Sequence, residues 1–547
     1  MRRRRLLKGF ASLPVVASTA VAANDIPTYA HGVASGDPDN NSVVIWTRVS
    51  GLRKSQPVSW QVALDANFEQ VVCSGVEVTN QYQDYTVKAV AKGLDSGRDY
   101  FYRFACDGVS SPVGKTRTLP TGQLDKLGLA LASCSNHAFG YFNAYDAIAR
   151  DEAIDFVLHL GDYIYEYGAT GWGAETALSL NRAHTPINEI VSLQDYRERH
   201  AQYKADSDSQ RMHAAKPLLL VWDDHESTNN PWVGGAQNHQ PADEGRWIDR
   251  RDIAIRAYYE WMPIREPSVG AERKNFWRRY QFGHLATLVT LESRHTGRSE
   301  QIDYGDFLDR IQSLDDAEAF KSDVLGAPDR TMISPAMESF LSSELRRSKA
   351  QGVAWRLIGN AIPMAKTPVP DLASMGITMP DQKATPPGTT ADLVWKGRWS
   401  LPLYPDTWDG YAWAREQFYS LCKQSDVSDL LVLTGDSHSF WANRLTAEDG
   451  QSMGLELGTA GISSPGDFIE QGFDHLSAKK IDEALAQHAP DIRWTSNLYQ
   501  GYVRLILTPS EGRADYVAMS TVKSRQYSID VVHSESINRN GPSLQFA

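Results

Sequence analysis

At 547 residues the chain is long enough for two to four ordinary domains, and 42% hydrophobic with 22% charged residues is the balance of a globular protein, which excludes a disordered or fibrous chain. A formal net charge of −12 argues against general nucleic-acid binding, which needs a basic surface. Beyond the N-terminus no apolar run reaches about 18 residues, so no transmembrane helix is expected.

The first element, residues 1–22, reads as a targeting segment. MRRRRLLKGFASLPVVASTAVAAN has a basic start (Arg2–Arg5 and Lys8), a short apolar run, and small residues before a cut near Ala22 or Ala23. Arg3-Arg4-Arg5-Leu6-Leu7-Lys8 resembles a twin-arginine export motif. The twin-arginine machinery is therefore an expected partner, and the periplasm or the medium the expected destination. Substrates of that route fold before export, which suits a protein that loads a metal inside the cell. Removing Met1–Ala22 takes five positive charges from −12 and leaves −17. An anionic substrate would then have to be attracted locally, by metals or a few arginines.

Residues 28–120 read as β. HGVASGDPDNNSVVIWTRV, VSWQVALD and DYTVKAV are short β-rich runs separated by Gly, Pro, Asp and Asn. LDSGRDYFYRF, with Gly97 before the alternating Tyr100 and Tyr102, looks like the tyrosine corner of a fibronectin type III or immunoglobulin-like sandwich. Leu119-Pro120-Thr121-Gly122 reads as a linker. Cys73 and Cys106 both lie in this region, and export would permit a disulfide between them, a pairing the spacing does not decide.

Residues 128–540 read differently. LGLALAS, DFVLHLG, PLLLVWDD, LATLVTLES, WRLIGN and LLVLTGD are short, continuous apolar runs, the signature of strands buried on both faces. YFNAYDAIARD and DRRDIAIRAYYEWM carry helical spacing. The expectation is a large α/β layered domain, with a Pro- and Gly-rich insertion at 365–410 acting as a lid over a site.

The chemistry lies at the ends of the apolar runs. Cys134-Ser135-Asn136-His137 follows the first, Asp162-Tyr163-Ile164-Tyr165 the second, and Asp223-Asp224-His225-Glu226 the third. Asn360 ends the WRLIG run, and Asp436-Ser437-His438 the last. One Gly-Asp after a strand is ordinary turn chemistry. Five strand ends carrying Cys, Asp, Tyr, His, Asn or Glu point instead to a metal centre, because ligands in α/β sheets gather beyond the carboxyl ends of strands.

In that order, Cys134, GDYIYEYG, WDDHE, GN and GDSHSFW resemble the PhoD-like alkaline phosphatase family, a branch of the calcineurin-like metallophosphoesterases. The resemblance implies an αββα metallophosphoesterase domain behind a small β-sandwich. It also implies a phosphate-ester hydrolase using a metal-activated oxygen nucleophile at a centre of Fe(III) and calcium. Carried over residue by residue, Cys134, Asp162, Tyr165 and His438 would hold iron; thiolate, phenolate and imidazole suit a small, highly charged ion. Calcium would share Asp162 and add Asp224 and Asp436, with Asn360, Glu226, Asn229 and Asn230 as weaker candidates. Cys134 stands where the wider superfamily has an aspartate. His225 would stand beside the substrate. The LESRHTGR stretch departs from the family's Asp-Thr-Arg-Gln-Tyr at Glu292 and His295, which weakens the case for Arg294 as a phosphate contact. Small-molecule or lipid phosphate esters are the implied substrates. A phosphodiesterase or phospholipase D-type activity is the alternative within the family, and a non-catalytic phosphate- or metal-binding protein the alternative outside it.

Overall fold

The six apolar runs are strands, and they divide between two sheets. The computed structural model describes residues 26–380, 393–541 and 543–547; the targeting segment and the centre of the 365–410 insertion lie outside the described residues. Leu127–Ala132, Phe156–Leu160 and Leu218–Val221 lie side by side and parallel in a ten-stranded sheet. Ala286–Thr290, Trp355–Gly359 and Leu430–Thr434 do the same in a seven-stranded sheet. All six are buried along their whole length.

Alternation within the strands shows why two sheets form. Leu129, Leu131, Leu158, Leu160, Leu219 and Val221 point one way, into a core shared with Leu288, Leu357, Leu431 and Leu433 of the second sheet. Ala130, Ala132, Val157, Leu218 and Leu220 point the other way, against helices Asn143–Arg150, Leu193–Ala205, Ser207–Ala215 and Trp247–Trp261. On the outer side of the second sheet, helices Pro335–Ala350 and Ala412–Gln424 bring Met337, Leu341, Phe418 and Cys422 into the same large core. The layers therefore run helix, sheet, sheet, helix. The C-terminal strands Gly501–Leu507, Glu511–Met519, Ile529–Asn540 and Ser543–Phe546 extend the first sheet at one edge.

The N-terminal β region is a sandwich, but one of its two layers is the other edge of that same sheet. Val33–Gly36 pairs in parallel with Leu218–Val221 at Gly36–Leu218, and Ser42–Arg48 and Thr86–Lys92 follow outward. The facing layer is a separate five-stranded sheet built on Gln56–Ala63, Val71–Thr79 and Asp99–Cys106. Val43, Ile45, Val58, Val62, Tyr102 and Phe104 fill the space between them. The tyrosine corner is present: the Tyr100 hydroxyl accepts the Asp95 N–H at 2.7 Å.

One expectation changes here, and one open pairing is decided. Leu119–Gly122 is not a free tether: Leu119 is buried in the main core and its N–H donates to the Asp39 carbonyl. A shared sheet leaves no independent body for a linker to join. All four cysteines are unbridged. Cys73 pairs across from Val62 of the intervening strand, while Ala105 pairs with Ser59, so Cys106 is two strands away and about four residues along. At ~4.8 Å between strands and ~3.4 Å per residue, that offset is beyond the reach of a disulfide.

The described parts of the insertion are anchored. Val369 N–H donates to Leu401 O, Leu403 N–H to Thr367 O, and Leu372, Ile377, Leu393 and Leu403 pack against Phe468, Phe473 and Ile481.

Candidate metal centre

The parallel strands end in tight turns that hold polar side chains in unusual backbone conformations. Cys134, Asp162, Asp436 and His438 all have left-handed φ, at 59°, 55°, 65° and 51°. For residues with a Cβ this costs on the order of 1 kcal/mol each and clusters at functional sites. Gly161 (φ 102°) is required just before Asp162: a Cβ there would lie 2.4 Å from the Asp223 backbone nitrogen. That close approach brings the second and third strand ends together.

The turns converge on one buried place. Asp162 Oδ2 lies 3.5 Å from Cys134 Sγ and 3.1 Å from the Tyr165 hydroxyl, which lies 3.3 Å from His438 Nε2. The donor atoms of Cys134, Asp162 and His438 are all within 4.8 Å of one another. Asp162 also belongs to a second such group with Asp224 and His225, and Asp224 to a third with Asp223 and Asp436. Asp162 and Asp224 thus link three adjoining clusters. Cys134, Tyr165 and Asp223 are fully buried, and Asp162 nearly so.

Electrostatics makes the cluster costly on its own. Burial raises the carboxyl pKa of Asp162 well above the ordinary range, and Asp224, Asp223, Glu226 and Asp436 raise it further. Asp436 is raised by burial and by Asp223. Cys134 and Tyr165 are pushed up by burial and by Asp162. Buried acids this close exist as anions only with cations among them.

One cation is built in. Arg294, fully buried, donates from Nε to Asp223 at 2.5 Å, from Nη2 to Asp436 at 2.9 Å and from Nη1 to Asn230 Oδ1 at 3.2 Å. Its loop is pinned by Glu292, which accepts the N–H groups of Arg294, His295 and Thr296. The guanidinium expected to contact phosphate is thus already engaged with protein partners. Burial opposes ionisation of Asp224, but His225 and Arg294 hold it below the usual carboxylate range.

The donor set fits metals. Buried oxygens of Asp223 (Oδ2), Asp224 (Oδ1) and Asn360 (Oδ1) have no hydrogen-bond partner among the described residues. Asn360 Nδ2 is bonded to Ile362 O at 2.5 Å, which fixes that free oxygen. The thiol, phenol and imidazole of Cys134, Tyr165 and His438 converge on one side and carboxyl groups on the other, a pairing of softer and harder donors.

Other residues brace the ligands. Glu226, a weaker ligand candidate from sequence, accepts the N–H groups of Asp162, Tyr163 and Asp223 and so clamps two turns together. Asn229 and Asn230 both donate from Nδ2 to Gln237 Oε1, and the Asn230 Oδ1 meets Arg294. His225 Nδ1 is 2.6 Å from Glu166 Oε2 and its Nε2 faces Asp224 at 3.9 Å. Burial lowers the His225 pKa, but Asp224 and Glu166 outweigh it and raise it to about 9. Asp467 stands 3.5 Å from His438 Nδ1, behind the nitrogen that faces Tyr165. Sequence reading missed two of these. Asp223 was legible, since it sits in the WDDHE run, but only the fold shows both aspartates turning inward. Asp467 follows no apolar run and carried no signal.

The sequence matches the model of the PhoD-like phosphatase family over residues 129–516 and that of the PhoD-like phosphatase N-terminal domain over residues 16–120. It is 34% identical over 507 residues to alkaline phosphatase D of Bacillus subtilis (strain 168), covering 90% of this chain and 77% of that protein. The fold is similar to a solved structure described as "Structure of PhoD", with a TM-score of 0.74 and 29% identity over 95% of this chain and 92% of that one.

Proposed function

The chain belongs to the PhoD-like phosphatase family, and on that premise we propose how it acts as a phosphoric ester hydrolase of the alkaline phosphatase type. The observation that carries the reading is the meeting of Cys134, Asp162, Tyr165 and His438 at one buried point, beside a second group of Asp223, Asp224 and Asp436.

In this reading Cys134, Asp162, Tyr165 and His438 hold Fe(III), and Asp162, Asp224, Asp436 and the Asn360 Oδ1 hold calcium. Cations held there would offset the charge on the phosphoryl oxygens and would lower the pKa of an attacking oxygen. The chain's own residues do the rest. Glu226 fixes the two turns, so the aspartates keep one geometry through the reaction. Glu166 holds the His225 ring by Nδ1, leaving Nε2–H to donate a proton to the departing oxygen. Arg294 neutralises part of the carboxylate charge and orients Asp223 and Asp436. Any direct contact of Arg294 with phosphate would fall to the two N–H groups that its bonds to Asp223, Asn230 and Asp436 leave.

We extend the proposal to export. The Arg3-Arg4-Arg5 segment supports passage through the twin-arginine machinery to the periplasm or beyond.

Element analysis of the protein purified without added metal, set beside phosphate release from a monoester and a diester at alkaline pH, tests the reading. Iron and calcium, with monoester turnover abolished by a chelator, support it. A metal-free protein with the same turnover overturns the metal assignment, and faster diester turnover makes the enzyme a phosphodiesterase. Ferric phenolates are coloured, so Tyr165→Phe should bleach the protein.

A further inference from the structure

The centre is most open to solvent along one line, His225, Asp436 and His438, where the side chain of Asp436 is 16% exposed and both histidines are less so. A phosphate ester bound at the centre must extend its alcohol part past this line. One loop supplies an aromatic wall there. The Tyr167 ring is 5.4 Å from that of His225, and the Trp172 indole stacks on His438 at 5.5 Å and 14°. Both wall residues are partly exposed.

Trp172 is held in place from several sides. Phe139 meets it edge-on at 4.6 Å, and Tyr165 lies 5.7 Å away. Its indole N–H donates to Glu470 Oε1 at 2.9 Å, tying the loop to helix Asp467–Glu470. Gly173 follows in the left-handed region (φ 88°), where a Cβ would meet Phe139 at 2.9 Å. The charged side chains that these contacts put at the same rim are acidic. Asp467 is beside His438 and Glu470 is on Trp172.

We propose that Trp172 is a specificity determinant. It selects phosphate esters of uncharged, planar alcohols, aryl phosphates above all, while Asp467 and Glu470 disfavour alcohol parts that carry further negative charge. The inference rests on the phosphatase reading above. Stacking on an indole is worth about 0.5–1.5 kcal/mol beyond area burial, or roughly 2- to 12-fold in binding. Like charges at the rim add discrimination by repulsion.

The test compares wild type, Trp172→Ala, Trp172→Phe and Glu470→Gln as full-length, metal-loaded protein. The substrates are phenyl phosphate, 4-carboxyphenyl phosphate and glycerol 2-phosphate, and comparing variants cancels the intrinsic reactivity of each ester. Trp172→Ala should lower kcat/KM for phenyl phosphate about 5- to 10-fold through KM, with glycerol 2-phosphate changed less than about twofold. Trp172→Phe should restore most of the loss. Glu470→Gln should improve 4-carboxyphenyl phosphate relative to phenyl phosphate. Equal loss on the aryl and glycerol esters would mean that Trp172 only supports His438, and overturns the proposal. Calorimetric binding of phenylphosphonate against methylphosphonate separates this from the parent reading. If no ester is hydrolysed but Trp172→Ala erases a preference for the phenyl ligand, the phosphatase reading falls and the selectivity stands. No preference in wild type overturns it.

Discussion

Two buried clusters of titratable side chains flank the turn at residues 161–166, and they handle charge in opposite ways. Beyond the strand ends, Asp162, Asp223, Asp224 and Asp436 crowd together, with only Arg294 and His225 as internal cations among the described residues. Behind the ten-stranded sheet, His159, His200, His213 and Lys204 crowd together in the helix-facing layer, all buried. Lys204 donates to His213 Nε2 at 3.1 Å and packs over the rings of Trp46 and Tyr163, and no carboxylate bond to it is seen among the described residues. Burial lowers the pKa of every member of this second group. The basic cluster escapes charge by giving up protons. In the proposed reading the acidic cluster keeps its charge by taking in cations. One short sequence serves both: Asp162 and Tyr165 face the acids, while the Tyr163 hydroxyl is 2.8 Å from His213 Nε2.

The largest test removes the link between the acid groups. Asp162→Ala should lose both metals and lower turnover by at least ~10³-fold, since several kcal/mol of transition-state stabilisation leave with the cations. Metal content by element analysis is the check. A variant that keeps its metals, or its rate, would show that the acidic cluster does not depend on Asp162.

Next is the built-in cation. Arg294→Met leaves Asp223 and Asp436 buried without their partner, which should lower stability by about 3–5 kcal/mol. Added calcium should return part of that loss, because a divalent ion can take over the neutralising role. Thermal unfolding with calcium and with chelator measures both. Equal stability of variant and wild type in chelator would mean that Arg294 is not the counter-charge.

This contrast also explains what the sequence made legible. Strand ends announce themselves when an apolar run stops at a polar residue, so Cys134, Asp162, Tyr165, Asp224, His225, Asp436 and His438 could be collected before any fold was known. An α/β layered domain followed from the same runs and the helical spacing between them, and the family resemblance supplied its αββα layering. Three features needed the third dimension. Leu119–Gly122 has linker composition, yet it is locked because the N-terminal module shares a sheet with the main domain. Arg294 is attractive as an anion contact until its carboxylate partners are seen. The basic cluster draws His159 from a strand, His200 and Lys204 from one helix and His213 from the next, so no local pattern marks it.

The basic cluster predicts acid sensitivity. His200 is fully buried, neither ring nitrogen has a hydrogen-bond partner among the described residues, and burial, then Lys204 and Arg199, lower its pKa to about 3. Its ring stacks on Trp261 and lies near Tyr163 and Tyr258. The folded value is below the ordinary 6.5, so between the two the unfolded chain takes a proton that the native chain refuses. The stability this group contributes is complete above pH 6.5 and is lost as pH falls toward 3, at about 1.4 kcal/mol per pH unit. His200→Leu should remove that share of the slope, so its melting temperature should fall less than that of wild type between pH 6.5 and 4.5. Parallel curves would mean that His200 is already protonated or is hydrated in the native state.

The smallest expected effect asks whether the two clusters communicate through the turn they share. Tyr163→Phe deletes a hydroxyl that meets His213 at 2.8 Å and Ser209 at 3.1 Å, on the basic side only. Loss of such a buried bond costs about 1 kcal/mol. The Tyr163 backbone N–H donates to Glu226 at 2.6 Å and is untouched by the change, so the clamp on the acidic side should hold. Melting should therefore fall by only about 1 °C while iron and calcium content stay at the wild-type level. If metal content falls instead, the hydroxyl is positioning Asp162 through the turn, and the two clusters are one coupled unit with opposite charge preferences at its ends.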